Sequence, residues 1–243
     1  NGTQNLWLLK PGCSSRGRGI KIYKTYERVV DRLHLLRGNT ILWVVQKCIE
    51  NPLIVRGRKF DVRQWVLVTD WNPLTIWMYS ECYVRFCVAE YDPKGESRKN
   101  HLTNNSVQKK FADFAGSDIE GNMYSQGEFQ DHLQEETGED IWTDKLVGQI
   151  KKYVKASLQS VQDQIDNRKN SFEFFGYDFM VDEDFRVWLI EVNSSPSMDR
   201  DTPVTERLVN MVLTDLPKVI IDYPAARNKS KCDTGGFELI HQN

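Results

Sequence analysis

The chain has 243 residues, 40% of them hydrophobic and 27% charged, with a formal net charge of -2. Its pI near 6.2 lacks the strongly basic footprint of a nucleic-acid binder, and its composition excludes a disordered or fibrous chain. Five cysteines form no CxxC pair and have no histidines at zinc-ligand spacing, so free thiols in a reducing cytosol are expected rather than a disulfide framework or zinc site.

In chain order, short apolar runs rich in β-branched and aromatic residues predict strands at Leu6 to Lys10, Ile20 to Tyr23, Leu42 to Cys48, Phe60 to Thr69, Leu74 to Tyr79, Phe172 to Val181 and Val187 to Val192. Helical spacing predicts helices at Tyr26 to Leu36, Ser125 to Leu133 and Thr205 to Leu216. It also predicts a long one whose face carries Leu146, Ile150, Tyr153, Val154, Leu158, Val161 and Ile165. Tight turns at Asp70 to Pro73 and Asp182 to Asp184 join strands directly, so the class is α+β with a mainly antiparallel sheet. The longest apolar run, Trp65 to Val68, is far too short to span a bilayer. Asn1 is not a methionine and a strand-like segment follows almost at once, so the sequence reads as a fragment of a longer protein.

The first chemical constellation is Lys10-Pro-Gly-Cys-Ser-Ser-Arg16-Gly17-Arg18-Gly19-Ile20. Glycines let backbone N–H groups approach phosphate oxygens and flanking cations neutralise them, although neither a GK[ST] nor a helix-opening GxGxxG is present; a basic hairpin tip is the plain alternative. The second is Lys59-Phe-Asp61-Val-Arg63, whose charges share one face of a strand. That face is either solvated or lines a polar cleft, and the apolar Trp65-to-Val68 continuation favours the cleft. The third is Asp178 with Glu191 and Asn193, at the ends of two strands joined by a turn. Hard oxygen donors without histidine or cysteine suit magnesium completed by nucleotide phosphates; solvated acids at a hairpin end are the alternative. Gln46 and Lys47 close a strand whose end can meet an adenine edge or simply leave a buried strand. The polar residues from His101 to Ser106 read as helix-capping groups. None of the four histidines sits in a triad context, so the chemistry indicated is phosphate positioning by cations and a metal.

Taken in order, Lys10-Pro-Gly with Ser15 to Ile20, Gln46-Lys47, Lys59-Phe-Asp61-Val-Arg63, Tyr83-Val-Arg85-Phe86, His101-Leu-Thr103-Asn104 and Glu191-Val-Asn193-Ser-Ser-Pro196 resemble the tubulin tyrosine ligase-like family. The Arg16 to Ile20 loop, Val68 to Pro73 and Arg168 to Phe172 look most like its initiating glycylases. The resemblance implies an ATP-grasp fold whose subdomains clasp ATP, with the family's N-terminal subdomain missing. Residues 1–48 would form the central subdomain and 49–243 the C-terminal one.

The same resemblance implies residue roles. Lys10 and the loop of Arg16, Gly17, Arg18, Gly19 and Ile20 would hold ATP phosphates; Gln46, Lys47, Cys48 and Ile49 would hold adenine; Lys59, Asp61, Thr103 and Asn104 would contact nucleotide. Arg63 and Arg85, with Lys59, would act on the acyl substrate through charge-assisted hydrogen bonds, and Asp178, Glu191 and Asn193 would bind Mg2+. Cys48 departs from the aromatic residue of relatives, which puts local packing in doubt. The implied activity is transfer of glycine to a glutamate side chain of the acidic tubulin tail through an acyl-phosphate. Arg16, Arg18, Arg56, Arg58 and Lys59 would steer that tail. A monomer acting on tubulin or microtubules with glycine as co-substrate is expected, in the cytoplasm and cytoskeleton, including cilium axoneme and basal body, without nucleic acid or membrane as partner. The rival readings are a glutamylase of the same fold and a catalytically silent microtubule-binding module.

Overall fold

The computed structural model of the chain describes residues 2–12, 17–36, 41–93, 97–111 and 118–242. In chain order these form β1 (Trp7–Pro11), β2 (Lys21–Tyr23), α1 (Tyr26–Leu35), β3 (Trp43–Lys47), β4 (Ile54–Val55), β5 (Arg58–Trp71), β6 (Leu74–Tyr79) and β7 (Tyr83–Phe86). There follow α2 (Arg98–His101), α3 (Asn105–Gln108), β8 (Met123–Ser125), α4 (Gln126–Thr137), α5 (Val147–Gln159), β9 (Glu173–Val181), β10 (Val187–Asn193), α6 (Pro203–Pro217) and β11 (Phe237–Gln242). Two units emerge: Asn1–Phe60 with Arg85–Asp118 and Asp182–Asp184, and Asp61–Val84 with Ile119–Val181 and Phe185–Asn243. The boundary expected after Cys48 falls inside the first of these.

In the first unit, an antiparallel sheet of order β2-β1-β3 puts β1 at its centre and β3 at its edge. Leu6, Ile22 and Cys48 pack together beneath it. Glu50 pins the chain entering β1: its buried carboxylate accepts the amides of Gln4 and Leu6, both at 2.6 Å, and the ammonium of Lys47. A carboxylate taken out of water needs such partners. Thr25 begins α1 by accepting the Arg28 amide, and β4 folds back on the start of β5, with Ile54 opposite Lys59.

The second unit is an antiparallel sheet running β10-β9-β5-β6-β11. Trp65, Val66, Leu67 and Val68 of β5 are all essentially buried, which is why this central strand reads as an unbroken apolar run rather than an alternation. Helix α6 starts from a capping box between Thr202 and Thr205 with Pro203 in its first turn, and it lays Leu208, Val209 and Val212 on a core that contains Trp65, Leu67 and Trp77. Helix α4 has a capping box from Ser125 to Glu128 and stops at Gly138 (φ 74), where a left-handed residue favours glycine.

Each predicted strand is present, and the class is mixed α and β with antiparallel sheets. The expected long helix is shorter: α5 ends at Gln159, and Val161 and Ile165 lie beyond it, each 37% exposed. Gln162 is drawn instead to the Trp71 carbonyl at the β5–β6 turn, a tertiary bond that periodicity does not encode. The capping expected between His101 and Ser106 is also corrected. Asn104 precedes α3 but makes no side-chain cap, and α2 ends at His101. Strands β7, β8 and β11 are short or polar and carried too little pattern to be singled out. Among the described residues four cysteines are free thiols, and no helix is long and apolar enough to cross a membrane.

Candidate functional site

Three charged side chains of the second unit form a single row across the sheet. Arg63 on β5 stands opposite Asp178 on β9, and Asp178 stands opposite Glu191 on β10, so all three project from the same face. The second pairing depends on a β-bulge. Up to Leu189, opposite Phe179, the ladder is regular; then Ile190 is an extra residue, and Glu191 meets Asp178. In an unbulged ladder Ile190 would face Asp178 and Glu191 would point to the other side of the sheet.

Asp178 is 2% exposed and Arg63 6%, and the guanidinium grips the carboxylate as a fork, Nε to Oδ1 and Nη2 to Oδ2, the latter at 3.1 Å. Such a planar pair of hydrogen bonds suits arginine and not lysine. The next row brings Asn193 opposite Gly176, and the Asn193 amide nitrogen donates to the Gly176 carbonyl at 3.2 Å and to Glu191 Oε1 at 3.4 Å. A Cβ on Gly176 would lie 2.8 Å from Pro196 Cβ and 3.0 Å from Arg63 Nη1. The bare glycine is therefore the seat on which the arginine lies.

The donor set fits a hard divalent cation. Asp178 and Glu191 supply carboxylates side by side and Asn193 an amide, while among the described residues no cluster of three His, Cys, Asp or Glu side chains is present. Two carboxylates leave coordination positions for water or phosphate, the pattern magnesium prefers. The Asn193 amide turns its nitrogen toward Glu191 and Gly176, so its oxygen would join a cation's ligands only after the side chain turned away from the Gly176 carbonyl.

The first unit gathers a second group. Lys10 is the penultimate residue of β1, and residues 17–20 follow; Arg16 lies outside the described residues. Gly17 is buried with φ +67, and a Cβ there would lie 3.0 Å from Asn104 Oδ1 and 3.1 Å from Val107. Two motifs about ninety positions apart thus meet, and Arg98 adds a 2.6 Å hydrogen bond from Nη2 to the Gly17 carbonyl. Gln108, buried at 1% exposure, holds the α2–α3 turn by donating to the Leu102 carbonyl and accepting the Val88 amide at 2.8 Å. Thr103 is buried beside this turn, whereas Arg18 and Gly19 are exposed and Ile20 is half-buried.

Lys59, Lys47 and Lys10 all act on the Cys48 thiol: burial pushes its pKa up, and these three ammonium groups pull against that rise. The Lys47 ammonium itself is held by Glu50 and lies 3.4 Å from the Leu6 carbonyl, and β3 is an edge strand of its sheet. Burial works to raise the Glu50 pKa, but Lys47 and the Leu6 and Gln4 amides outweigh it and hold the carboxyl below its ordinary value. Ile49 is half-buried.

The charged stripe of β5 is not solvated: Lys59, Asp61 and Arg63 are 8%, 8% and 6% exposed. Lys59 belongs to the first unit, and Asp61 and Arg63 to the second. Arg85, 6% exposed, is in the first unit, where the next strand residues continue to a hydrogen bond from the Cys87 amide to the Lys59 carbonyl at 2.9 Å. The expected steering patch is smaller than the sequence implies, because Asp118 pairs with Arg56 at 3.6 Å and Arg58 at 2.5 Å, and Lys59 is buried. Sequence reasoning missed Glu50, Arg98, Gln108 and Gly176. Only Glu50 left a trace, as an acid set between the apolar Ile49 and Pro52.

Comparison with known proteins adds a second line. The profile of the tubulin-tyrosine ligase family matches residues 1–231. Over 99% of its length the chain is 49% identical to tubulin glycylase 3C of Tetrahymena thermophila, 45% identical to human tubulin monoglycylase TTLL3 and 41% identical to human protein monoglycylase TTLL8. It spans 23%, 32% and 28% of those three proteins.

Proposed function

The chain belongs to the tubulin-tyrosine ligase family, and from that premise we propose that it is the catalytic part of an ATP-dependent carboxylate–amine ligase. In this reading it joins glycine to the side chain of a glutamate in the acidic tubulin tail. The observation that supports the ligase reading is the row of Arg63, Asp178 and Glu191, two of them buried charges beside a third, exposed one. Glycine as the amine rests on the similarity to proteins named glycylases. Within this proposal the fold is an ATP-grasp, with residues 1–48 as its central subdomain and 49–243 as its C-terminal one.

Lys10 and residues 16–20 hold the ATP phosphates, the main chain from Gln46 at the end of β3 to Ile49 meets adenine, and Lys59, Asp61, Thr103 and Asn104 contact the nucleotide. Asp178, Glu191 and Asn193 hold Mg2+, which offsets charge on the phosphates. The glutamate carboxylate attacks the γ-phosphorus and ADP leaves, giving an acyl-phosphate. Arg63 and Arg85 stabilise oxygens that carry developing charge. The glycine amine then attacks the acyl carbon, phosphate departs, and loss of a proton leaves an isopeptide bond. Tubulin as partner ties the protein to the cytoskeleton, with cilium and axoneme as its site of action.

The test is to incubate the full-length protein with tubulin, ATP and labelled glycine or labelled glutamate. Glycine incorporation that requires ATP and magnesium is expected. Glutamate incorporation alone makes the protein a glutamylase, and tubulin binding without incorporation of either makes it a silent binding module.

A further inference from the structure

We infer that Arg63 is a positioning residue for the metal-ligating carboxylate of Asp178, in addition to any contact it makes with the acyl substrate. This rests on the metal reading of Asp178, Glu191 and Asn193 given above. A carboxylate has about four lone-pair sites, and the fork from Nε and Nη2 occupies one on each oxygen. That pair of hydrogen bonds fixes the plane of the carboxyl group, which a point charge does not do. With the plane fixed, the remaining lone pairs of Asp178 have one orientation relative to Glu191, its cross-strand neighbour.

The arginine is in turn held in place. It is 6% exposed, stands opposite Asp178 in the β5–β9 register, and lies over Gly176 with Nη1 and Cδ at 3.0 and 3.2 Å from where a Cβ would be. Pro196 closes the same space at 2.8 Å. The locked pair fixes both partners: it preorganises the guanidinium and holds the carboxylate in one plane. A side chain that orients a ligand acts through such a pair.

The experiment compares wild type and Arg63→Lys full-length protein by Mn2+ binding, read by electron paramagnetic resonance in the presence of a non-hydrolysable ATP analogue. Lysine keeps the charge and loses the fork. The expected result is a roughly 10–100-fold weaker Mn2+ affinity and a broadened Mn2+ spectrum, both read with the analogue saturating in the two proteins. Equal Mn2+ affinity and spectrum in the two proteins overturns the inference and leaves the metal reading intact. Failure of wild type to bind Mn2+ overturns the metal reading itself and the inference with it. Should Arg63→Lys not fold, a crystal structure of wild type with Mn2+ and the analogue decides: the fork retained on a metal-bound Asp178 is expected, and an Arg63 turned away from it overturns the inference.

Discussion

Glu191 stands directly opposite Asp178 because Ile190 is an extra residue in β10. The bulge turns two acids that would face opposite sides of the sheet into a neighbouring pair, and it does so beside the buried Arg63. Glu191→Gln keeps the shape and removes the charge. Loss of a charge-assisted contact costs about 1.5–3 kcal/mol, so magnesium affinity measured with ATP present should fall on the order of 10- to 100-fold, while thermal stability, set elsewhere for this exposed side chain, changes little.

Gly176→Ala tests the seat of Arg63 without altering any charge. The added methyl would meet Pro196 and the guanidinium at 2.8 and 3.0 Å, and overpacking of this kind costs about 1–3 kcal/mol. Denaturant unfolding should show that loss. Adding Pro196→Gly should restore only part of it, because the clash with Arg63 remains.

Gly17→Ala probes the loop of the first unit. With φ at +67 and Asn104 Oδ1 3.0 Å from the new Cβ, alanine pays about 1–2 kcal/mol in a left-handed conformation or moves off the α2–α3 turn. The Kd of an ATP analogue, measured by calorimetry, should rise roughly ten-fold.

Acid should destabilise the second unit through Asp215. Burial works to raise its pKa, but the Gly236 amide at 2.9 Å, Lys218 at 3.0 Å and the Tyr79 hydroxyl at 3.0 Å outweigh it and hold the carboxyl below its ordinary value. Tyr79 is pushed upward, first by its burial and then by this acid. A carboxyl depressed in the folded state contributes stability above its unfolded pKa of about 3.9 and loses it as pH falls through the lower folded value. Denaturant midpoints from pH 6 down to pH 3 should therefore drop for wild type. Asp215→Asn should begin about 1–3 kcal/mol less stable at neutral pH and show a shallower acid slope.

Much of this arrangement is legible in residue order. Strands β1, β2, β3, β5, β6, β9 and β10 announce themselves by β-branched and aromatic runs, and the oxygen donors at Asp178, Glu191 and Asn193 stand out because acids and an amide interrupt apolar strands. The alternation of Lys59, Asp61 and Arg63 correctly puts three charges on one face, but whether that face is wet or dry is a property of what covers it. Arg98 and Gln108 were silent for a related reason, and Glu50 nearly so: their partners are Gly17, then Val88 and Leu102, and Gln4 and Leu6, and no local period links such pairs.

Sequence alone determined which segments are extended, which are helical, and which residue types are available for phosphate and cation chemistry, because backbone preference and hydrophobic period are local quantities. Tertiary structure alone decided that Arg63, Asp178 and Glu191 form one row. Register belongs to a pair of strands, and a single extra residue at Ile190 reverses which face every later side chain of β10 presents.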